Sequence, residues 1–329
     1  MKIGKLELKY GLMLAPMAGF SDRAMRKICY EHGSEYSVSE MVSATALCYN
    51  DKKTALLARI LSDEGPSAIQ LFGKDPDKIA HAAEVLQKGA GGGVAPVAID
   101  INMGCPVNKI FSNGEGSALM KNPDLIYKIC TAASSAIDIP LTVKIRAGVD
   151  GEHINAVECA LAAEAGGAQA VSVHGRTRVE MYSGAVNMDI IKAVKKKLKI
   201  PVVANGDVTS AESALRLLNY TGADAIMIGR GAIGNPFLFS EIKAALSAES
   251  YTPPTLEERV EAALFELRVA IEEKGEAVAV REARKRIAFY LRSFRGAATA
   301  RAEINRAESY AEVVSAMHKV LEYQQDGEE

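Results

Sequence analysis

The chain has 329 residues, 48% of them apolar and 24% charged, with a formal net charge of −2. That balance suits a globular protein with a full core, excludes a disordered chain, and leaves any nucleic-acid partner dependent on a local basic patch. The five cysteines contain no CxxC pair and the five histidines no HExxH-type spacing, so neither a disulfide framework nor a metal site is expected.

In chain order, the opening MKIGKLELKY lacks the apolar stretch of a signal peptide, and no run is long enough to span a bilayer. The expectation is a cytoplasmic protein with no membrane partner, and a monomer, since no protein partner is indicated. Eight short apolar, β-branched runs follow: Leu12–Pro16, Tyr36–Glu40, Ala68–Phe72, Val97–Ile101, Leu141–Ile145, Ala170–His174, Pro201–Ala204 and Ala225–Gly229. Most are nearly continuous in hydrophobicity, as parallel strands buried on both faces are. Between them Pro76–Gln87, Pro123–Ala136, Asn155–Ala165, Met188–Leu198 and Ser210–Asn219 read as helices, the last opened by a capping box of Thr209 and Glu212. The alternation predicts an α/β fold, a (β/α)8 TIM barrel over residues 1–246, with a doubly wound sheet as the alternative. The stretch 247–254 (SAESYTPP) is polar, ends in two prolines and reads as a linker. Residues 255–329 predict a small all-helical C-terminal domain, broken at Gly275 and Gly296 and ending in a frayed acidic tail, Gln324–Glu329.

Polar residues cluster where the strands end, and in a barrel those ends share one mouth, where active sites of this architecture are built. Strand one ends in Pro16 and Met17 and strand three in Gln70; strand four ends in Asp100 and Asn102, with Cys105 just beyond; strand five carries Lys144 and Arg146. His174 and Arg176 follow strand six, Asn205 and Asp207 strand seven, and Gly229 and Arg230 strand eight. The stretch IMIGRGAIGNP (226–236) matches GxGxxG but follows the last strand, the wrong place for a dinucleotide fingerprint. With Asn205-Gly206-Asp207 it instead forms a two-loop phosphate cradle, Arg230 being the charged partner; two ligand-free tight turns are the plainer alternative. A flavin mononucleotide, FMN, hung from that cradle would meet Gln70, Lys144 and His174. Its ring edge calls for a side-chain amide, and its N1–O2 side for a cation such as Lys144. Cys105 lies in Asn102-Met103-Gly104-Cys105-Pro106, a tight loop that would hold the thiol over the mouth. A thiol mostly protonated at neutral pH suits a general acid as well as a nucleophile. Cys29, Cys48, Cys130 and Cys159 fall on apparent helices and read as inert.

Farther on, Arg281, Arg284, Lys285, Arg286, Arg292, Arg295, Arg301 and Arg306 form a basic run with Tyr290 and Phe294 interleaved. Arg281, Arg284 and Lys285 would share one helix face. Such a run either faces solvent or contacts RNA phosphates, with the aromatic rings stacking on bases.

Together these segments make the sequence resemble the tRNA-dihydrouridine synthases of the bacterial and archaeal type. The motifs run through almost the whole chain: LAPMAGFSD (14–22), SEMVSA (39–44), IQLFG (69–73), DINMGCPV (100–107), GSALMKNP (116–123), VKIRAG (143–148), VHGRTR (173–178), ANGDV (204–208), IMIGRGAIGNP (226–236) and INRAESY (304–310). The resemblance implies FMN bound by Pro16, Met17, Gln70, Lys144, His174, Asn205, Gly206, Asp207, Gly229 and Arg230. It implies reduction of the C5–C6 double bond of a tRNA uridine to dihydrouridine, with a hydride passing from flavin N5 to C6 and a proton from Cys105 to C5. NADPH, or NADH, would restore the flavin. Asn102 would face the target base, and Lys109, Arg176, Arg281, Arg284, Lys285 and Arg292 would contact RNA. A catalytically silent tRNA-binding protein and a flavin reductase of free pyrimidines are the alternatives. The chain departs from the family in lacking tryptophan near Val149 and Met188 and in carrying Arg286 where many members have histidine.

Overall fold

The computed structural model describes residues 1–49, 51–292 and 294–325, so part of the expected acidic tail, 326–329, lies outside the described residues. Eight strands carry the barrel: β1 (Leu12–Leu14), β2 (Tyr36–Ser43), β3 (Ser67–Phe72), β4 (Ala98–Met103), β5 (Leu141–Arg146), β6 (Ala170–His174), β7 (Val202–Asn205) and β8 (Ala225–Ile228). Every neighbouring pair is parallel, and β8 pairs with β1 to close the ring, which excludes the doubly wound alternative. Each strand falls within a few residues of its expected run. Around the ring pack α1 (Arg23–Glu31), α2 (Pro76–Leu86), α3 (Pro123–Ala136), α4 (Ala156–Ala165), α5 (Met188–Lys197), α6 (Ala211–Thr221) and α7 (Leu238–Leu246), while β2 is followed by two short helices, Ala44–Cys48 and Lys52–Leu57.

Two apolar shells hold this arrangement. Residues pointing out of the ring, such as Leu14, Ile69, Ile101, Val143 and Val173, are buried against the helices. Residues pointing in at the lower half are mostly small: Ala68, Ala98, Ala170 and Ala225 pack with Met13, Tyr36 and Met227. An N-terminal hairpin, Lys2–Ile3 with Leu6–Glu7, closes the bottom, and Ile3 and Leu8 join that inner shell. Moving up β3, β4 and β6 by two residues, the inward position turns polar, from Ala68 to Gln70, Ala98 to Asp100 and then Asn102, and Ala170 to Ser172 and then His174. The period of two in a strand therefore separates a dry floor from a polar mouth within a single apolar-looking run.

Most helix starts are capped by their own sequence. Asp22 accepts the Met25 N–H at the start of α1, Asp75 accepts from Asp77 and Lys78 at α2, and Asn122 accepts from Leu125 at α3. At α6 the expected capping pair is corrected by one position: Ser210 caps and Ser213 answers it, because Ser210 is the residue that keeps extended backbone before the first turn. After α7 come α8 (Leu256–Lys274), α9 (Glu276–Ala283), a 3-10 turn at Ile287–Leu291, α10 (Ala297–Ile304) and α11 (Tyr310–Gln325), with Gly275 and Gly296 at the breaks. This helical region packs on the barrel through α8 against α1.

Candidate active site

Four strand-borne side chains supply the centre of the mouth. Gln70, Asp100, Asn102 and Thr142 form one buried chain of hydrogen bonds. The Gln70 amide nitrogen donates to Asp100 at 2.7 Å, and the Asn102 amide nitrogen donates to Gln70 Oε1 at 2.8 Å. Thr142 Oγ1 donates to the other Asp100 oxygen at 2.6 Å. Asn102 Oδ1 in turn accepts the backbone N–H groups of Gly104 at 3.2 Å and Cys105 at 2.9 Å. Ser117 Oγ donates to the Cys105 carbonyl at 2.7 Å, so the loop is held from both sides. Cys105 itself is 9% exposed, and its burial pushes the thiol up, with the Val107 N–H, Arg146 and Lys144 offsetting only part of that. The thiol is therefore protonated at neutral pH, which favours a general acid over a resting thiolate.

Around the thiol the charge is positive. Lys144 is partly open to the mouth; burial and the neighbouring Arg146 lower its ammonium to about 8, so it is mostly charged at neutral pH. His174 is pushed down to about 2 by burial and by Lys144, Arg146, Arg176 and Arg230, and stays neutral. Cations converging on one neutral imidazole make a pocket suited to an anion, which is the charge pattern a flavin phosphate and ring require. Gln70 uses one amide proton on Asp100, leaving its second proton to offer.

The two glycine loops lie side by side. A Cβ placed on Gly231 would meet the Val208 carbonyl oxygen at 2.1 Å, so the loops after β7 and β8 touch there. The last glycine of the GxGxxG match serves another purpose: a Cβ on Gly234, with φ of +65°, would meet Phe289 Cβ at 2.4 Å. Gly234 lets the helical region press against the loop, and only Gly229 and Arg230 remain beside the cradle. Asn205 donates to the Met227 carbonyl at 2.7 Å, tying β7 to β8 beneath both loops.

Several expected roles are corrected by geometry. Arg176 is 2% exposed and is clamped by both oxygens of Asp207 at 2.7 Å and by the Ser183 carbonyl at 3.0 Å, so it is a buried strut rather than an RNA contact. The Asp207 carboxylate also accepts the Val186 N–H at 2.9 Å and lies 3.7 Å from Arg230. Tyr290 is fully buried and donates to Glu266 at 2.6 Å, so it cannot stack on a base. Arg286 is 3% exposed and donates to Asp22 at 2.9 Å, leaving the surface run altogether. Helix α9 stops at Ala283, so Arg281, Arg284 and Lys285 do not share one helical face; Arg284 donates to the Ala307 carbonyl at 2.7 Å.

Four members of the basic run gather in one groove of about 410 Å³, lined by Arg284, Lys285, Phe289, Arg292, Arg301 and Asn305. Arg292 stacks over Phe289 at 4.2 Å, so Phe289, and not the buried Tyr290, is the ring beside the groove's cations. Arg281 is exposed but lies outside the groove lining. Pro16 and Met17 sit partly exposed after β1, and Lys109 is exposed just beyond the Cys105 loop.

Two further residues of the mouth have roles that the sequence alone does not assign. Arg146 donates to Gly104 O at 2.7 Å, Thr177 O at 2.9 Å and Met181 O at 3.0 Å, binding the Cys105 loop to the loop after β6. Its signal is its spacing: two residues past Lys144 on a strand is the same inward face. Tyr182 lies between Arg230, 4.4 Å from its ring centre, and Arg146 at 5.9 Å; nothing local marks a loop tyrosine for that position.

A profile of the family described as dihydrouridine synthase (Dus) matches residues 13–325. Proteins named tRNA-dihydrouridine synthase B are similar over nearly their whole length. That of Shewanella oneidensis is 41% identical, covering 96% of each chain, and that of Escherichia coli K12 is 39% identical over 98% of this chain and 99% of its own. The Pasteurella multocida protein of the same name is 41% identical over 88% of this chain and 86% of its own. Among solved structures, histamine dehydrogenase from Rhizobium sp. 4-9 (TM-score 0.57, 14% identity) overlaps 82% of this chain. The amine oxidase acting on 6-hydroxypseudooxynicotine from Pseudomonas geniculata (TM-score 0.58, 15% identity) overlaps 75%. This chain spans about half of each of those, 50% and 49%, and the likeness is one of fold.

Proposed function

The chain belongs to the dihydrouridine synthase family, and from that premise we propose that it is an FMN-dependent enzyme that reduces the C5–C6 double bond of specific uridines in tRNA. The observation that carries this reading is the protonated Cys105 thiol held beside a cationic mouth by a loop pinned at Asn102, Ser117 and Arg146. When bound, the flavin supplies the hydride for C6 of the base and is recharged by NADPH or NADH.

The chain's own residues do the rest. Gly206, Gly229 and the exposed Arg230 hold the phosphate, with Asp207 and Arg176 stiffening the first loop. Pro16, Met17 and Asn205 would hold the ring, Gln70 would offer its second amide proton, and neutral His174 would offer a hydrogen bond without adding charge. Lys144 would supply the cation for the negative charge that accumulates on the ring, and charge-matched groups fixed in advance are worth most at such a point. Cys105 gives its proton to C5 of the base, and Asn102 would face that base. The target uridine must leave its stack to reach them, which costs a few kcal/mol.

Residues 1–246 form the catalytic barrel, 247–254 the linker and 255–329 the RNA-binding domain in this reading. The groove with Lys285, Arg292 and Arg301 receives the phosphate backbone, with Phe289 and Arg292 as a stacking surface. No helix of the described residues is long and apolar enough to cross a membrane. The deciding experiment pairs the visible spectrum of the purified protein with a map of dihydrouridine in tRNA from a strain lacking the gene. Flavin bands and the loss of specific dihydrouridines are expected; a protein with no flavin bands even after added FMN would sink the reading.

A further inference from the structure

The hydrogen-bond chain beneath Cys105 has a direction, and its two ends set it. At the upper end stand two backbone N–H groups, those of Gly104 and Cys105, which can only donate. At the lower end stands the carboxylate of Asp100, which, ionised, can only accept. Between them lie two side-chain amides, Asn102 and Gln70, each with one accepting and one donating end. Asn102 must turn its oxygen to the loop, so its nitrogen faces Gln70; Gln70 must then turn its oxygen to Asn102, so its nitrogen faces Asp100. Only an acceptor at position 100 completes the series. All four side chains are buried on the inward faces of β3, β4 and β5, where a mismatched pair has no water to fall back on.

We propose that Asp100 is a positioning residue for the Cys105 acid: it fixes the polarity of the Gln70–Asn102 relay and through it the loop that presents the thiol. The carboxylate lies below the mouth, touches only Gln70 and Thr142 among its hydrogen-bond partners, and acts at a distance of two side chains from the sulfur. Asp100→Leu keeps about the size of the side chain and removes the acceptor. Gln70 is then free to turn over, and a turned Gln70 or Asn102 sets nitrogen against nitrogen or against the Gly104 and Cys105 N–H groups, so the loop loses its fixed seat. Asp100→Asn keeps an acceptor: its oxygen takes the Gln70 proton while its nitrogen donates to the Thr142 hydroxyl, which accepts as well as donates.

The inference rests on the reading of Cys105 as the proton donor, yet its test reads the loop and not the reaction. The rate at which iodoacetamide alkylates Cys105 in the flavin-free protein, located by mass spectrometry of the modified peptide, reports how firmly the thiol is held. Asp100→Leu is expected to raise that rate by at least about fivefold through local opening. Asp100→Asn, which keeps an acceptor for Gln70, is expected to stay within about twofold of the parent. A role of the carboxylate through its charge alone would not spare the amide. Should Asp100→Leu be recovered unfolded, Gln70→Leu removes the middle link of the series and is expected to raise the rate likewise. A parental alkylation rate in Asp100→Leu, or in Gln70→Leu where that is the variant measured, overturns the proposal, as does an Asp100→Asn rate as high as that of the leucine variant. Loss of dihydrouridine formation with unchanged alkylation would also overturn it while leaving the role of Cys105 as proton donor untouched.

Discussion

The barrel mouth and the groove of the helical region are both rich in cations, but they hold them in opposite ways. In the mouth, Arg176 is clamped by Asp207, Arg146 is bonded to three carbonyl oxygens, and Lys144 is lowered to about 8 by burial and Arg146. In the groove, Lys285, Arg292 and Arg301 are exposed, and Arg292 rests on Phe289. Fixed charges suit a bond-making step, where reorganisation would add to the barrier, and exposed charges suit a long polyanion whose phosphates vary in position. The two regions thus hold their cations at two grades of rigidity on one chain.

The largest expected effect breaks the mouth alone. Cys105→Ala should lower dihydrouridine formation by about 10² to 10⁴-fold, the range for losing a positioned acid, while flavin content and oxidation of the nicotinamide donor stay at the parental level. Single-turnover formation of dihydrouridine on unmodified tRNA measures it, and product formation at the parental rate would remove Cys105 from the acid role.

Next in size is the joint between the two regions. Although burial pushes its carboxyl up, Arg286 and Lys274 together hold Asp22 well below the usual carboxylate range. Asp22 caps α1 of the barrel, and Arg286 and Lys274 belong to the helical region. Arg286→Met leaves Asp22 short of a partner in a buried place and should cost about 3–5 kcal/mol, read as a fall in Tm. Since the folded value of Asp22 is depressed, its contribution is present at neutral pH and lost as pH falls below the ordinary carboxylate range. The gap between parent and variant should therefore narrow in acid.

A pH profile separates the two ionising groups of the mouth. Lys144 loses its proton as pH rises through about 8, whereas burial holds the Cys105 thiol above its ordinary value. Activity should fall above about pH 8, approaching about tenfold per unit, with the limb belonging to Lys144. Lys144→Arg, which stays charged, should move that limb upward even if it lowers the plateau; a limb that does not move assigns it elsewhere.

The sequence makes the barrel and its mouth readable for one reason, that strand ends converge whatever the details of packing. Asn102, Cys105, Lys144 and His174 come together as expected because they lie at or just past the ends of parallel strands. Arg176, Arg286 and Tyr290 escape such a reading because each is a polar residue whose partner is distant in sequence: Asp207, Asp22 and Glu266. A basic run looks solvated until one of its members finds a carboxylate on another element, and no local pattern signals that. The third glycine of GRGAIG shows the same limit, since its close neighbour Phe289 lies far down the chain.

The smallest expected effect tests the groove and is also the sharpest on the comparison. Lys285 and Arg292 line it, carry exposed charges, and take no part in the buried joint around Asp22. If they meet phosphates, each releases a counterion on binding, and the slope of log affinity against log salt should become shallower by about 1.5 in Lys285→Ala with Arg292→Ala. Affinity at low salt should drop roughly tenfold, with Tm and flavin content unchanged because exposed charges contribute little to stability. The turnover of bound tRNA should stay at the parental value, since the mouth keeps its own cations. A change in that bound-state rate would mean that the groove also steers the uridine into the mouth, and the two regions would then have to be treated as one device.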